Sequence, residues 1–360
     1  MSKGLKIVLC LIAVTSFLVT PGLAAEEKMK PITLKVTSFT PPPETSLPSN
    51  QLVVWEEMVT ARTNGAITFK NYWGGAMAKP AEHLTLVQTG AVDLAQTYGW
   101  YTPTKLPLEN FDYTFPFGPT DPLIVTKAMR QIYEEFPDFK KDLAKHNCTR
   151  IFQCPGTTFV FLSKKPMAKL DDFKGLKCAM IGRYFGKWIG ATGAVPVAAP
   201  AAERYTMLQT GVVDVSFNPM ELAYTFKDIE QGPYCLDPQL VVTNYNSLWI
   251  NLDTLKKFSP EVQKILMNTG VETEIKVAKE LNPQWGDKIM NDWKKSKGFV
   301  YTKLNDADRQ KWADRCEDVP AEWAAEVAAL GYPSWEIVKR FQEITAQLGH
   351  KWIRKWGVKK

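Results

Sequence analysis

The sequence predicts an α/β protein of two similar lobes with a ligand cleft between them, followed by a helical C-terminal region. The first supporting observation is an internal echo. Residues Ala81–Leu94 (AEHLTLVQTGAVDL) align without gaps onto Ala202–Val215 (AERYTMLQTGVVDV), at an offset of 202 − 81 = 121 residues, with eight of fourteen positions identical. Each copy reads as one unit: a short helix starts after Pro80 or Pro200, stops at Gly90 or Gly211, and gives way to a β-branched strand. The second observation is that a glycine-led strand candidate precedes each copy, Gly65–Lys70 in one case and Gly193–Val197 in the other. Repeated strand, loop, helix and strand units imply parallel sheets. In two open α/β lobes the loops at the carboxyl ends of the strands converge between the lobes, where ligands bind. Closing such a hinge creates two states that a membrane partner can distinguish.

The chain begins with MSKGLKIVLCLIAVTSFLVTPGLAA, which has Lys3 and Lys6, an apolar run from Ile7 to Val19, the breaker Pro21-Gly22 and the small pair Ala24-Ala25. This pattern reads as a secretory signal over residues 1–25. The apolar run is shorter than the roughly 20 residues that span a bilayer. Ile32–Phe39 then reads as an opening strand, Pro41–Pro43 as an extended turn, and the stretch from about Asn50 to Thr63 as a helix. In the second half, Thr158–Leu162 and Leu176–Ile181 read as strands, Gly182–Ala191 as a helix, and Tyr245–Asn251 as a strand. Beyond Pro260 the pattern is mostly helical and carries Trp285, Trp293, Trp312, Trp323, Trp335, Trp352 and Trp356, read as core packing. The expected plan is lobe I from 26–155 and 245–285, lobe II from 156–244, and C-terminal helices from 286–360 packing across both.

Composition narrows the function. The 360 residues are 45% hydrophobic and 23% charged, with a formal charge of +6 from 44 basic and 38 acidic residues. Removing residues 1–25 gives +6 − 2 = +4. No dense Lys/Arg tract appears, so nucleic acid is not an expected partner. The exported chain would keep Cys148, Cys154, Cys178, Cys235 and Cys316, an odd number with no CxxC spacing, and only His83, His146 and His350. A structural zinc site is therefore not expected, and neither is any cofactor. HExxH, GxSxG, GxGxxG and Walker motifs are all missing. Acid pairs such as Asp171-Asp172 are commoner as helix starts than as acid/base machinery, so no catalytic residue is assigned.

Several segments resemble the extracytoplasmic solute-binding proteins of TRAP transporters, the DctP-like family. They are Asp171–Lys177 (DDFKGLK), Gly190–Ala194, Tyr205–Asp214 with Asn218-Pro219, Gln88–Leu94, the aromatic-proline run Phe111–Phe117, and Ser247–Asn251 followed by Ser259–Ile265. The resemblance covers nearly all of the chain beyond residue 25 and rests on the joint order of these segments. It implies a periplasmic binding protein fold and a receptor that delivers a small organic acid to the small and large subunits of a membrane permease. It also implies an arginine, two residues after the Lys of Gly-Leu-Lys, that clamps the ligand carboxylate.

That position is Ala179 here, and a second basic position of the family falls near Phe159. Arg183 and Lys79 are the nearest candidate replacements, and Asn218 matches a ligand-facing amide of the family. Trp100 and Tyr101 follow the first-lobe strand at a cleft-facing loop, and Trp73 and Trp249 are further aromatic candidates. Together they predict an unusually apolar site for an acid with an aromatic or bulky apolar part. Two other functional classes compete: a periplasmic module that signals through a receptor, and a secreted enzyme on the same scaffold. The basic, Trp-bearing tail His350–Lys360 reads as a docked C-terminal helix in preference to a membrane-surface helix, with no stable membrane insertion expected.

Overall fold

The computed structural model describes residues 30–358, so the expected signal segment lies outside the described residues. The chain first builds β1 (Ile32–Ser38), α1 (Leu47–Arg62), β2 (Ile67–Tyr72), α2 (His83–Thr89), β3 (Leu94–Tyr98), α3 (Pro122–Glu135), α4 (Asp138–Ala144) and β4 (Cys148–Cys154). It then crosses to β5 (Phe159–Ser163), β6 (Lys177–Met180), α5 (Arg183–Gly190), β7 (Val195–Ala198), α6 (Arg204–Thr210), β8 (Val215–Pro219), α7 (Met220–Thr225) and β9 (Tyr234–Asp237). It returns through β10 (Asn246–Asn251) and α8 (Leu252–Lys256), then runs on in a long helix formed by α9 (Pro260–Lys276), a π-helical turn (Val277–Leu281) and α10 (Asn282–Trp293). The short strand β11 (Val300–Lys303) precedes α11 (Asp306–Arg315), α12 (Val319–Ala328) and α13 (Ser334–Gln347).

Two sheets result, ordered β2-β1-β3-β10-β4 and β11-β9-β5-β8-β6-β7, and each forms the heart of one lobe. The expectation of parallel sheets is corrected: β10 runs antiparallel to β3 and β4, and β5 runs antiparallel to β8 and β9. The physical reason is the crossing itself. Each of these strands enters its sheet from the other lobe, against the direction of the local βα units, whereas β1, β2 and β3, or β6, β7 and β8, stay parallel.

Local chemistry explains the element ends. The first long helix starts three residues before the expected Asn50, because Ser46 accepts a hydrogen bond from the Ser49 N–H and Pro48 suits the first turn. Both echo helices stop at a left-handed glycine, Gly90 at φ +72° and Gly211 at φ +76°. Pro283, in the first turn of α10, has no N–H to give the carbonyl four residues back, and the π-helical turn lies directly before it.

The identical aspartates of the echo do matching structural work. Asp93 accepts from the Lys35 N–H at 2.9 Å, and Asp214 accepts from the Lys177 N–H at 2.9 Å, each tying its helix-strand turn to the neighbouring strand. Of the late tryptophans, Trp285, Trp293, Trp312, Trp323 and Trp356 are buried, while Trp335 and Trp352 are half-buried against the core; the Trp312 indole donates to the Trp188 carbonyl at 2.8 Å, and that of Trp323 to the Pro107 carbonyl at 3.1 Å. The tail expectation is corrected in part. Residues 350–358 are not helical, yet Trp356 is fully buried, because Gly349 at φ +103° turns the chain back onto α13. All five cysteines among the described residues are buried free thiols. Cys148 and Cys154 stand at opposite ends of β4, and Cys178 and Cys235 are separated by two intervening strands. Among the described residues no helix is long and apolar enough to cross a membrane.

Candidate functional site

The two echo strands, β3 and β8, carry the candidate site residues at their carboxyl ends. Beyond β3 the turn Gly99–Tyr101 presents Trp100 and Tyr101, and the end of β8 carries Asn218. The turn is tight because Gly99 lies against the Glu109 backbone, where a Cβ would come within 2.3 Å of the carbonyl oxygen. Trp100 stacks on Tyr245 at 5.1 Å, Tyr98 meets Tyr245 edge-on at 4.7 Å, and Tyr101 stacks on Tyr98 at 6.1 Å. From the second lobe Phe185 reaches Trp100 and Tyr113, both at 6.1 Å, and packs on Phe159 at 5.0 Å. The lobes thus meet through an aromatic layer, where a cavity of about 10 Å³ between Trp100, Tyr113, Gly182 and Phe185 has room for about one water. A ligand larger than a water fits at this point of the layer only if the two faces part.

Polar groups sit within and beside this layer. The hydroxyls of Tyr98, Tyr245 and Thr158 are buried without a hydrogen-bond partner. Such groups cost free energy unless something satisfies them, which is common where a polar ligand binds. Glu221, at the start of α7, accepts from the Thr157 N–H at 3.1 Å and from the Thr157 hydroxyl, and burial pushes its pKa up to about 7. Because the folded pKa lies above the ordinary carboxyl value of 4.5, this group stabilises the fold below pH 4.5 and loses that contribution as pH rises towards 7. Glu221→Gln is therefore expected to flatten the fall in melting temperature between pH 5 and about 7.5. An unchanged pH profile in the variant would remove Glu221 from the account.

At the second-lobe end lies a residue that sequence reasoning missed. Arg204, on α6, is fully buried. Its Nε and Nη2 donate to the Ala199 carbonyl at 3.1 and 3.0 Å, and its Nη1 donates to the Phe217 carbonyl and to Asn218 Oδ1. The Asn218 amide in turn donates to Asp228, which also accepts from Ser216. Burial lowers the Arg204 pKa from its usual value and raises that of Asp228, and the charges of the two groups oppose both shifts. The signal that could have found Arg204 was in the echo: its counterpart is His83, one of the six mismatched positions.

The sequence-selected residues are dispersed. Trp100, Tyr101, Phe159 and Asn218 lie in or beside the interlobe layer. Arg183 borders the small cavity, but its side chain is 53% exposed and paired with Glu322 and Glu326 of α12. Lys79 is exposed at the start of a short 3-10 turn, and Trp73 is half-buried just after β2. Trp249 is fully buried in mid-strand, paired with Ala95 in the first sheet. Ala179 is fully buried against Ala199, Leu208 and Val213, on the α6 side of the second sheet. No group of three or more His, Cys, Asp or Glu among the described residues is placed to hold a metal ion.

The sequence model of the bacterial extracellular solute-binding proteins, family 7, matches residues 40–326. The ectoine-binding periplasmic protein TeaA of Halomonas elongata is 23% identical over 290 residues, 78% of this chain and 81% of that protein. The C4-dicarboxylate-binding periplasmic protein DctP of Rhodobacter capsulatus is 26% identical over 287 residues, 76% of this chain and 82% of that protein. A TRAP periplasmic solute binding protein from Bordetella bronchiseptica, solved with bound (R)- and (S)-mandelate, has the same fold. It gives a TM-score of 0.75 at 24% identity and covers 88% of this chain and 100% of that one.

Proposed function

The chain belongs to the bacterial extracellular solute-binding proteins of family 7, and from that premise we propose that it captures a small organic acid with an aromatic or bulky apolar part between its lobes. The single observation that carries the ligand class is the aromatic layer of Tyr98, Trp100, Tyr101 and Tyr245 against Phe159 and Phe185, at the strand ends where α/β lobes bind ligands. Such a layer offers a planar apolar group large contact area with little conformational entropy to lose, and its unpaired hydroxyls offer donors to an acid. The mandelate bound by the Bordetella bronchiseptica protein has this combination of ring and carboxylate and supports the reading. In the proposal the protein is exported by its N-terminal signal, works in the periplasm, and passes its ligand to the small and large subunits of a TRAP permease. Lobe closure tells the permease that the receptor is loaded.

Thermal unfolding of the chain from residue 26 onward against a panel of acids tests this. Benzoate, mandelate or a related aromatic acid at 100 times its dissociation constant is expected to add about 2.7 kcal/mol of stability. A larger shift with succinate or malate than with any aromatic acid would overturn the ligand class. No shift with any acid, together with no small molecule released on denaturation, would overturn the receptor reading.

A further inference from the structure

The two lobes use the same architectural strap with different chemistry. In the first lobe the His83 ring lies between two carbonyl oxygens, Ala78 O at 3.2 Å and Gln96 O at 3.1 Å, and donates to one of them. In the second lobe Arg204 bridges Ala199 O and Phe217 O. The three positions are related by the offset of the echo, since 199 − 78, 204 − 83 and 217 − 96 all equal 121. A neutral imidazole fills this position with a single N–H to donate, to one carbonyl or the other. A guanidinium brings five N–H donors and a permanent charge. Four contacts are made to the Ala199, Phe217 and Asn218 oxygens, all of them neutral, and one N–H of Nη2 is left over.

A fully buried cation is costly unless an anion answers it. Among the described residues no carboxylate bonds Arg204 directly. Asp228 is held one step away, behind Asn218 and Ser216. Tyr101 of the first lobe lies within Coulombic range of Arg204. Behind Tyr101 stand Tyr98 and Tyr245, whose buried hydroxyls have no partner. A buried cation in one lobe thus lies near phenol hydroxyls of the other.

We propose that Arg204 is the group that anchors the ligand's carboxylate, with phenol hydroxyls of the first lobe completing its hydrogen bonds when the lobes close. This rests on the organic-acid reading above and names the residue that gives it selectivity for an anion. The strap geometry supplies the test, because Arg204→His grafts the first lobe's own solution onto the second. The variant is expected to fold and to melt, without ligand, close to the wild-type temperature. Benzoate and mandelate are expected to bind it about 10- to 100-fold more weakly by calorimetry, the range for losing a charge-assisted hydrogen bond. Their neutral counterparts benzamide and mandelamide should bind both proteins weakly.

Wild-type affinity for either acid in the Arg204→His variant overturns the inference and leaves the receptor reading standing. So does a wild-type protein that binds an amide as tightly as its acid. A variant that has lost its native circular dichroism makes Arg204 structural and also overturns the inference. A wild-type protein that binds no acid at all sinks the receptor reading and this inference with it.

Discussion

Gly270→Ala is expected to destabilise the protein by about 3 kcal/mol, as the midpoint of a guanidinium unfolding curve would report. The sign runs against helix propensity, since alanine in a helix interior is usually more stable than glycine by up to about 1 kcal/mol. Here α9 lies so close to β4 that a Cβ on residue 270 would come within 2.1 Å of the Ile151 carbonyl oxygen and 2.8 Å of its carbon. These are backbone atoms and cannot rotate away, so the helix must lift. Lifting it strains the Trp55 indole bond to the Leu266 carbonyl at 3.2 Å and the Gln153 N–H bond to Glu274 at 2.7 Å. A stabilised variant would show that α9 moves off the first sheet at little cost.

Gly156→Ala is expected to cost about 2–3 kcal/mol and to abolish the thermal shift produced by acids. Gly156 lies in the first crossing between the lobes, and an added Cβ would fall 2.0 Å from Tyr245 Cε1 and 2.6 Å from its Cζ. The Tyr245 ring cannot swing aside freely, because Tyr98 and Trp100 pack on it at 4.7 and 5.1 Å. The glycine backbone is equally fixed: its N–H donates to the Thr243 carbonyl at 3.0 Å, and its carbonyl accepts from Asn282 at 2.7 Å. Asn282 also bonds the Pro155 carbonyl and Gln51, so the crossing is tied to both α1 and α10. A ring displaced here disrupts the aromatic layer and the crossing together. An alanine variant whose acid binding matched the wild type would show that Tyr245 plays no part in the site.

Much of the fold was legible because it is written locally. The Gln-Thr-Gly-x-Val-Asp runs show a helix stop, a buried strand and an anchoring aspartate within a few residues, and Gly90, Gly211, Asp93 and Asp214 do those jobs. Strand direction was not local. Nothing in Asn246–Asn251 or Phe159–Ser163 says from which lobe the strand arrives, and that decides whether it runs parallel or antiparallel. The strand β4 was not read from the sequence at all, since CTRIFQC buries Arg150 and Gln153, residues that ordinarily mark a surface. Arg150 is held inside by Glu109 at 3.4 Å and by the face of Tyr133 at 3.7 Å, partners that are distant in sequence or unremarkable in it.

The site divided the same way. Trp100 and Tyr101 were found because they directly follow a recognisable strand, and Asn218 because it matches a ligand-facing amide of the resembled family. Arg183 was selected for its charge near a strand end. Only the packing of α12, some 140 residues later, gives it Glu322 and Glu326 as partners on the surface. Arg204 looked like an ordinary polar position on a short helix. Its burial depends on α6 docking at the end of β8, where two backbone carbonyls and Asn218 receive it.

By itself the sequence determined that the chain has two related α/β halves, where their helices stop, which strand ends carry aromatic residues, and the family to which it belongs. These follow from short-range patterning, from glycine's left-handed conformation and from a repeat that survives within one chain. The tertiary structure alone decided the mixed strand directions, the interlobe contact of Trp100 with Phe185, and that the buried cation at the candidate site is Arg204 while Arg183 and Lys79 stay at the surface. Those depend on desolvation and on partners brought together from distant segments, and a charged side chain has one character at a surface beside glutamates and another when enclosed among neutral oxygens.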